Sequence, residues 1–121
     1  MSRKETALLF LQRAAFGSVE EAFRMVTPGF RHHNPHFAAG ADALKVAMAE
    51  SAIKNADKRL DVQRSLEDGD LVVIHSRIVL QREQPGHSVV HIFRFEGDKI
   101  AEMWDIGQDV PAESPNSDGM F

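Results

Sequence analysis

The fold of this chain is decided by one stretch near its C-terminus, His91–Gln108, which reads HIFRFEGDKIAEMWDIGQ. Apolar and polar side chains alternate along it, and the alternation is interrupted once, at Glu96–Asp98, where a glycine permits a tight turn. Alternation with period two is typical of a β-strand, because successive side chains point to opposite faces of a sheet. The stretch therefore predicts two antiparallel strands, His87–Phe95 and Lys99–Ile106, joined by a hairpin turn.

Two more strands are predicted upstream of this hairpin. The first begins at Arg59, where apolar residues start to alternate with polar ones, and the second is the β-branched run Leu71–Leu80. The Asp68–Gly69 pair between them favours a two-residue hairpin turn. The C-terminal half therefore predicts a four-stranded antiparallel meander.

The N-terminal half has apolar residues at helical spacing. Each of the first two predicted helices begins with a serine that is followed three residues later by a glutamate, which is the capping-box pattern. The pairs are Ser2 with Glu5 and Ser18 with Glu21. The three predicted helices span about Ser2–Phe16, Ser18–Val26 and Ala41–Ala56. The intervening stretch Phe30–Gly40 is predicted to be a loop.

The length and composition suit one globular domain. The chain has 121 residues, of which 43% are hydrophobic, so residues 1–121 form a single predicted domain with one core. From about residue 109 the chain is rich in Pro, Ser, Asn and Gly, which predicts a loop-like tail. Helices followed by a meander predict the α+β class, with helices on one face of a curved sheet and a pocket between them.

Several classes of function are disfavoured by composition. The formal charge is −4 and the Lys and Arg residues are scattered, so we expect no nucleic-acid partner. There is no cysteine, no apolar run of the length that a membrane span requires, and no signal-peptide pattern at the N-terminus. We therefore expect a cytoplasmic protein with neither disulfides nor a membrane partner.

The predicted strands give each residue a face. The face expected to meet the helices carries Val89, His91, Phe93, Phe95, Ala101, Met103 and Asp105. The opposite face carries Val90, Ile92, Arg94, Ile100, Glu102, Trp104 and Ile106. Because both faces are rich in apolar residues, we expect a homodimer that packs sheet against sheet through Trp104, Ile92 and Ile74.

Candidate catalytic groups are the carboxylate Asp105 and the imidazoles His33 and His91. A carboxylate among apolar neighbours is suited to act as a general base, although a strand-terminal aspartate is often only a paired surface group. A mid-strand histidine needs a hydrogen-bond partner. A group in the core could supply it, in which case the histidine has only a structural role. The predicted ligand-binding residues are Asn34, His36, His75, Phe93 and Met103.

No metal or cofactor site is predicted. His33 and His36 lie three residues apart but straddle a proline in a loop, so they lack the helical spacing that presents two ligands on one face. The chain has no glycine-rich phosphate loop, nucleophile elbow or dinucleotide fingerprint. Any chemistry is expected to be cofactor-independent.

Three segments together resemble the SnoaL-like proteins of the nuclear transport factor 2-like superfamily. They are Arg31–Phe37 (RHHNPHF), Gly69–Ser76 (GDLVVIHS) and above all His91–Gln108. The resemblance implies a cone-shaped α+β barrel, a dimer and a pocket between the sheet and the N-terminal helices. In the polyketide cyclases of this family, an aspartate that corresponds to Asp105 acts as acid and base in an intramolecular aldol closure.

The resemblance also limits the possible activities. Ketosteroid isomerases of the superfamily place a catalytic aspartate where this chain has Asn34, and their catalytic tyrosine has no counterpart in a chain without tyrosine. Because the superfamily includes enzymes and plain binding proteins, three hypotheses remain open. The first is cofactor-independent aldol cyclisation or isomerisation next to a carbonyl; the alternatives are a non-catalytic dimer that binds a small organic ligand, or a dehydratase that uses His75 and His91 as a pair.

Overall fold

The computed structural model describes all residues, 1–121. It contains three helices and five strands, joined by loops. The helices are α1 (Arg3–Ala15), α2 (Val19–Phe23) and α3 (Ala41–Lys54). The strands are β1 (Val26–His32), β2 (Arg59–Asp68), β3 (Leu71–Val79), β4 (His87–Glu96) and β5 (Lys99–Asp109). None of the helices is long and apolar enough to cross a membrane.

The five strands form one sheet in the order β1-β5-β4-β3-β2. Strands β2 to β5 make the predicted antiparallel meander, and β1 is added beside β5 in parallel. Because β1 and β2 are free edges, the sheet does not close into a barrel. The predicted α+β class, with three helices on a mainly antiparallel sheet, is confirmed.

Strand β1 corrects the prediction for the segment after the second helix. That helix ends at Phe23 instead of Val26, and the chain then forms a strand through part of the predicted loop. Pro28 and Gly29 are tolerated because β1 is an edge strand, and the pairing with β5 shifts register between Val26 and Arg31. The strand places the histidines that follow it directly beside β5.

Of the two predicted capping boxes, one is formed. The Ser2 side chain accepts a hydrogen bond from the Glu5 backbone N–H, and the Glu5 carboxylate accepts one from the Ser2 N–H. Ser18 makes no side-chain capping bond, so the second prediction is wrong. The helix that it begins has only five residues, and Arg13 on α1 instead forms a salt bridge with Glu21.

The hydrophobic core lies between the helices and one face of the sheet, which we call the inner face. It is held by edge-to-face aromatic pairs: the Phe10 ring lies 5.8 Å from that of Phe93 and 5.5 Å from that of Phe23. The α1 residue Phe10 and the β4 residue Phe93 are both fully buried. Contacts of this kind fix α1 across the inner face and leave room beside it, toward α3.

A β-bulge between Arg94 and Phe95 changes the predicted faces of β5. The extra residue makes Ile100 pair with Phe95, so Ile100 is fully buried in the core instead of lying on the opposite, outer face. Beyond the bulge the alternation is as predicted, and Met103 pairs with Phe93 on the inner face. One residue of shift reverses the face of every residue on one side of a bulge.

The outer face of the sheet differs from the prediction at one position. Trp104 and Ile92 pair there as expected, but Ile74 pairs with His91 and is fully buried in the core. Ile74 therefore cannot contribute to an outer-face dimer interface, because its side chain points toward the helices. The homodimer itself stays a prediction.

The C-terminal tail begins after Asp109, close to the predicted position, and has no helix or strand. Its last residue returns to the outer face, where the Phe121 ring stacks on His75 with centroids 5.7 Å apart. The guanidinium carbon of Arg77 lies 5.1 Å from the centre of the same ring. This end of the tail therefore lies on the sheet face opposite to the helices.

Candidate functional site

A cavity of about 210 Å³ lies between α1, α3 and the inner face of the sheet, and we call it the central cavity. Ten of its fifteen lining residues are hydrophobic, so it suits a ligand with an apolar body. Its five remaining lining residues are Asn34, Ser51, Lys58, His91 and Asp105. A second, more polar cavity of about 610 Å³ shares Asn34, His91 and Asp105 with it.

Asp105 and His91 are neighbours across β5 and β4. The two residues face each other in the antiparallel register, so both side chains leave the sheet on the inner face. Asp105 is half-buried, and His91 is buried with a relative exposure of 7%. A carboxylate and an imidazole therefore meet at the wall of an apolar cavity.

His91 is a buried imidazole without a hydrogen-bond partner in the protein. Its Nδ1 is fully buried and unpaired, and the ring is held by near-parallel stacking on Phe93 at 6.0 Å between ring centres. Burial lowers the pKa of His91 to about 4, against a smaller opposing effect of the Asp105 charge. His91 is therefore neutral at pH 7, and a neutral imidazole has one N–H to donate and one nitrogen that can accept.

The orientation of Asp105 is set by Asn34. The Asn34 Nδ2 donates to Asp105 Oδ2 at 2.9 Å, and the Asn34 Oδ1 accepts from the His36 backbone N–H at 2.9 Å. The second bond decides which end of the amide points to the carboxylate, because only the NH₂ group can donate. Asp105 Oδ1 makes no hydrogen bond within the protein and stays free to accept a proton.

The Asn34 backbone is held in turn by His32. The His32 Nδ1 accepts from the Asn34 N–H at 3.1 Å, and its Nε2 contacts the Ala38 carbonyl oxygen at 2.8 Å, which requires the proton on Nε2. Buried His32 thus fastens the loop at two points and acts as a positioning residue for Asn34. From the sequence alone, His32 was one polar candidate of this segment without a specific role.

The chain is similar in sequence and in fold to known proteins. The sequence model of the SnoaL-like domain matches residues 9–103, which is most of the chain. The chain belongs to the SnoaL-like domain family. The resemblance seen in the sequence is therefore confirmed, and no curated protein matches this SnoaL-like domain.

Solved structures share the fold of this SnoaL-like domain at low sequence identity. An NTF2-like protein of unknown function from Cytophaga hutchinsonii is 13% identical with a TM-score of 0.74, over 89% of this chain and 91% of that one. AclR from Streptomyces galilaeus, proposed to be a hydroxylase, is 19% identical with a TM-score of 0.70, over 88% of each chain. A protein from Sinorhizobium meliloti, proposed to be a polyketide cyclase, is 12% identical with a TM-score of 0.65, over 84% of this chain and 94% of that one.

The histidine-rich segment of the SnoaL-like domain is divided between the two faces of the sheet. His33 was predicted to join Asp105, but its backbone N–H bonds to the Met103 carbonyl and continues the β1–β5 pairing, so its side chain alternates to the outer face. There its Nε2 lies 2.6 Å from Glu102 Oε2 and its ring stacks on Trp104 at 5.0 Å. His33 does not line the central cavity.

On the outer face, Glu102 is the centre of an ion cluster with three basic partners. The His33 hydrogen bond, followed by the Arg94 hydrogen bond, lowers the pKa of Glu102, and Arg31 lies 3.2 Å away. The His33 side chain is thus bound on the outer face and does not reach the cavity. His36, by contrast, lines the second cavity, as its predicted role in ligand binding requires.

His75 also lies on the outer face, in contrast to the prediction. It pairs with Val90, and its imidazole contacts Arg64 and the Ser88 hydroxyl as well as Phe121. His75 and His91 therefore project from opposite faces of the sheet. A dehydratase site built on these two histidines as a pair is not assembled.

Phe93 and Met103 lie on the predicted face but are buried too deeply to contact a ligand. Their exposures are 0% and 1%, and neither lines the central cavity. The Phe93 ring stacks on the His91 ring, and Met103 on β5 pairs with Phe93. The structure therefore does not bring these two side chains to the central cavity, and Phe10 of α1 packs against the Phe93 ring.

Sequence reasoning missed two polar residues of the central cavity, Ser51 and Lys58. Ser51 lies on α3 three residues after Met48, on the apolar stripe that predicted this helix, so helical spacing alone could have placed it. Lys58 lies between α3 and β2, in a connection where no periodicity assigns a direction to a side chain.

Proposed function

We propose that this SnoaL-like domain catalyses a cofactor-independent proton transfer next to a carbonyl group of a small organic molecule, with Asp105 as the base. The observation that supports this is the side-by-side placement of the Asp105 carboxylate and the unpaired, neutral His91 imidazole at the wall of an apolar cavity. A buried polar group without a partner is costly, and each such group in a folded protein calls for an explanation, of which a functional role is one.

The proposed step begins with the free Oδ1 of Asp105. It removes a proton from the carbon next to the carbonyl, and the C–H electron pair forms a C=C bond while the carbonyl oxygen takes the negative charge. Because Nδ1 is fully buried, it is the Nε2–H of His91 that donates to that oxygen, which a neutral imidazole can do without losing its own proton. Asn34 holds Oδ2 so that Oδ1 faces the substrate.

The second step closes the cycle. The enolate carbon attacks a second carbonyl of the same molecule, as in an aldol cyclisation, and protonated Asp105 delivers its proton to the new alkoxide oxygen. In an isomerisation, Asp105 instead returns the proton to a different carbon. Both versions balance without an oxidant or a metal ion. The neighbour from Sinorhizobium meliloti, proposed to be a polyketide cyclase, favours the aldol version.

The test does not require knowledge of the natural substrate. The bicyclic ketone β-tetralone has exchangeable protons next to its carbonyl, and their replacement in D₂O can be followed by proton NMR. Asp105→Asn should slow the protein-dependent exchange by on the order of 10²- to 10⁴-fold. Asp98→Asn, an exposed position in the turn before β5 that lines neither cavity, is the matched control and should exchange at the wild-type rate.

A second candidate function is supported by the Asn34–Asp105 hydrogen bond. Because this bond holds one carboxylate oxygen, the polar groups could serve only to orient a bound molecule in a non-catalytic binding protein. This hypothesis predicts that β-tetralone binds without any protein-dependent exchange. Equal exchange rates for wild type and Asp105→Asn would exclude Asp105 as the base and favour the binding function.

A further inference from the structure

The central cavity contains a cation that the proton-transfer step does not use. Lys58 lines the cavity, is half-buried, and forms no salt bridge; its only side-chain hydrogen bond runs from Nζ to Ser51 Oγ at 2.8 Å. An ammonium group has three N–H donors, so most of its hydrogen-bonding capacity is unused. By contrast, Lys45 of α3 pairs with Glu20 at 2.8 Å.

Ser51 adds a second donor at the same place. Its Oγ accepts hydrogen bonds from Lys58 and from Asn55 Nδ2, at 2.8 and 3.2 Å, and makes none as a donor. The Ser51 hydroxyl hydrogen and the Lys58 ammonium hydrogens are thus adjacent donors at the cavity wall. Two adjacent donors without an acceptor match the two oxygens of a carboxylate.

The position of Lys58 relative to Asp105 separates the two charges. Lys58 directly precedes β2 at one edge of the sheet, whereas Asp105 is on β5, with β3 and β4 between them. An anionic group at the Asp105 end would be repelled by that carboxylate, and at the Lys58 end it would meet an unpaired cation. Burial also lowers the pKa of Lys58, and a bound anion would offset that effect.

We propose that Lys58 and Ser51 bind the carboxylate of an organic acid whose apolar body fills the central cavity and whose carbonyl end lies against His91 and Asp105. This inference rests on the proposed function for its carbonyl end, but binding of the carboxylate is independent of catalysis. The small volume of the cavity, about 210 Å³, suits an acid of one or two rings.

The test compares a charged probe with a neutral one of the same shape. β-Naphthoate and its amide, β-naphthamide, are titrated into the protein by calorimetry. Wild type should bind naphthoate at least about 10-fold more tightly than naphthamide. Lys58→Met should weaken the binding of naphthoate about 10- to 100-fold and leave the binding of naphthamide unchanged. Lys54→Met, an exposed lysine at the end of α3, is the matched control and should bind both probes as wild type does.

Three results would overturn the assignment: equal affinities of wild type for the two probes, unchanged naphthoate binding in Lys58→Met, or an equal loss in Lys54→Met. The comparison of probes on wild type stands even if Lys58→Met fails to fold. The outcome is also separable from the proposed catalysis. Loss of exchange in Asp105→Asn, together with naphthoate binding that does not depend on Lys58, would reject the carboxylate site alone. Unchanged exchange in Asp105→Asn, together with naphthoate binding that depends on Lys58, would reject the catalytic proposal alone.

Discussion

Replacing His91 by leucine should make the stability of the domain less sensitive to acid. Burial lowers the pKa of His91 to about 4 in the folded protein, whereas an unfolded chain has the ordinary value of 6.5. Between these two values the unfolded chain binds a proton that the folded protein does not bind. Stability from this residue is therefore complete above pH 6.5 and is lost as the pH falls toward 4.

The magnitude follows from the two pKa values. Between pH 7.5 and pH 5, proton binding to the unfolded chain lowers the free energy of unfolding by about 2 kcal/mol through His91 alone. The leucine variant lacks this contribution, so its free energy of unfolding should fall about 2 kcal/mol less over the same range. All other titrating groups are common to both proteins, so their contributions cancel in the comparison.

The assay is urea unfolding of wild type, His91→Leu and His36→Leu at both pH values. His36 is exposed on the loop, so its variant retains the buried imidazole and should reproduce the wild-type difference between the two pH values. At pH 7.5 the leucine variant also removes an unpaired buried nitrogen, which offsets part of the packing lost on Phe93. If wild type and His91→Leu lose equal stability on acidification, the account of His91 as a buried, neutral group is wrong.

Three further predictions test the bulge, the loop and the outer face. Ile100→Ala should cost about 2–5 kcal/mol of stability because Ile100 is fully buried, while Ile106→Ala, at an exposed position, should cost under about 0.5 kcal/mol; similar urea midpoints would contradict the bulge. Asn34→Ala should lower kcat for exchange about 10-fold with little change in KM, because the Asp105 carboxylate loses its amide donor; a change in KM alone would argue against positioning. Light scattering at micromolar concentration should give the mass of a dimer, and Trp104→Glu should give that of a monomer; a monomeric wild type would refute the outer-face interface.

The meander could be predicted from sequence because its information is local. Strands β2 to β5 alternate with period two and are separated by turns with glycine, and Gly69, Gly86 and Gly97 all adopt positive φ angles. Strand β1 could not be predicted in this way, since it pairs in parallel with β5, more than 70 residues away, and is interrupted by Pro28–Gly29. The bulge at Phe95 is equally invisible, because nothing in the alternation marks the extra residue.

The candidate site was predicted in part for the same reason. Asp105 and His91 were placed together because both lie on regular strands, where alternation fixes the face. The histidine segment was interpreted as a loop, so its continuing alternation was missed and His33 was assigned the inward direction that His32 and Asn34 take. Lys58 could not be found from spacing at all, since its direction depends on how α3 packs across the sheet.

The central claim is that a ligand carbonyl meets His91 beside Asp105, and nitrogen NMR of the histidine rings tests it most directly. β-Naphthol, an aromatic analogue of the enol of β-tetralone, is added to uniformly ¹⁵N-labelled protein at pH 7. We predict a neutral His91 ring whose N–H resonance shifts on binding, while the rings of His33 and His75 on the outer face do not change. A His91 ring that is protonated at pH 7, or that does not respond while other histidines do, would contradict the account.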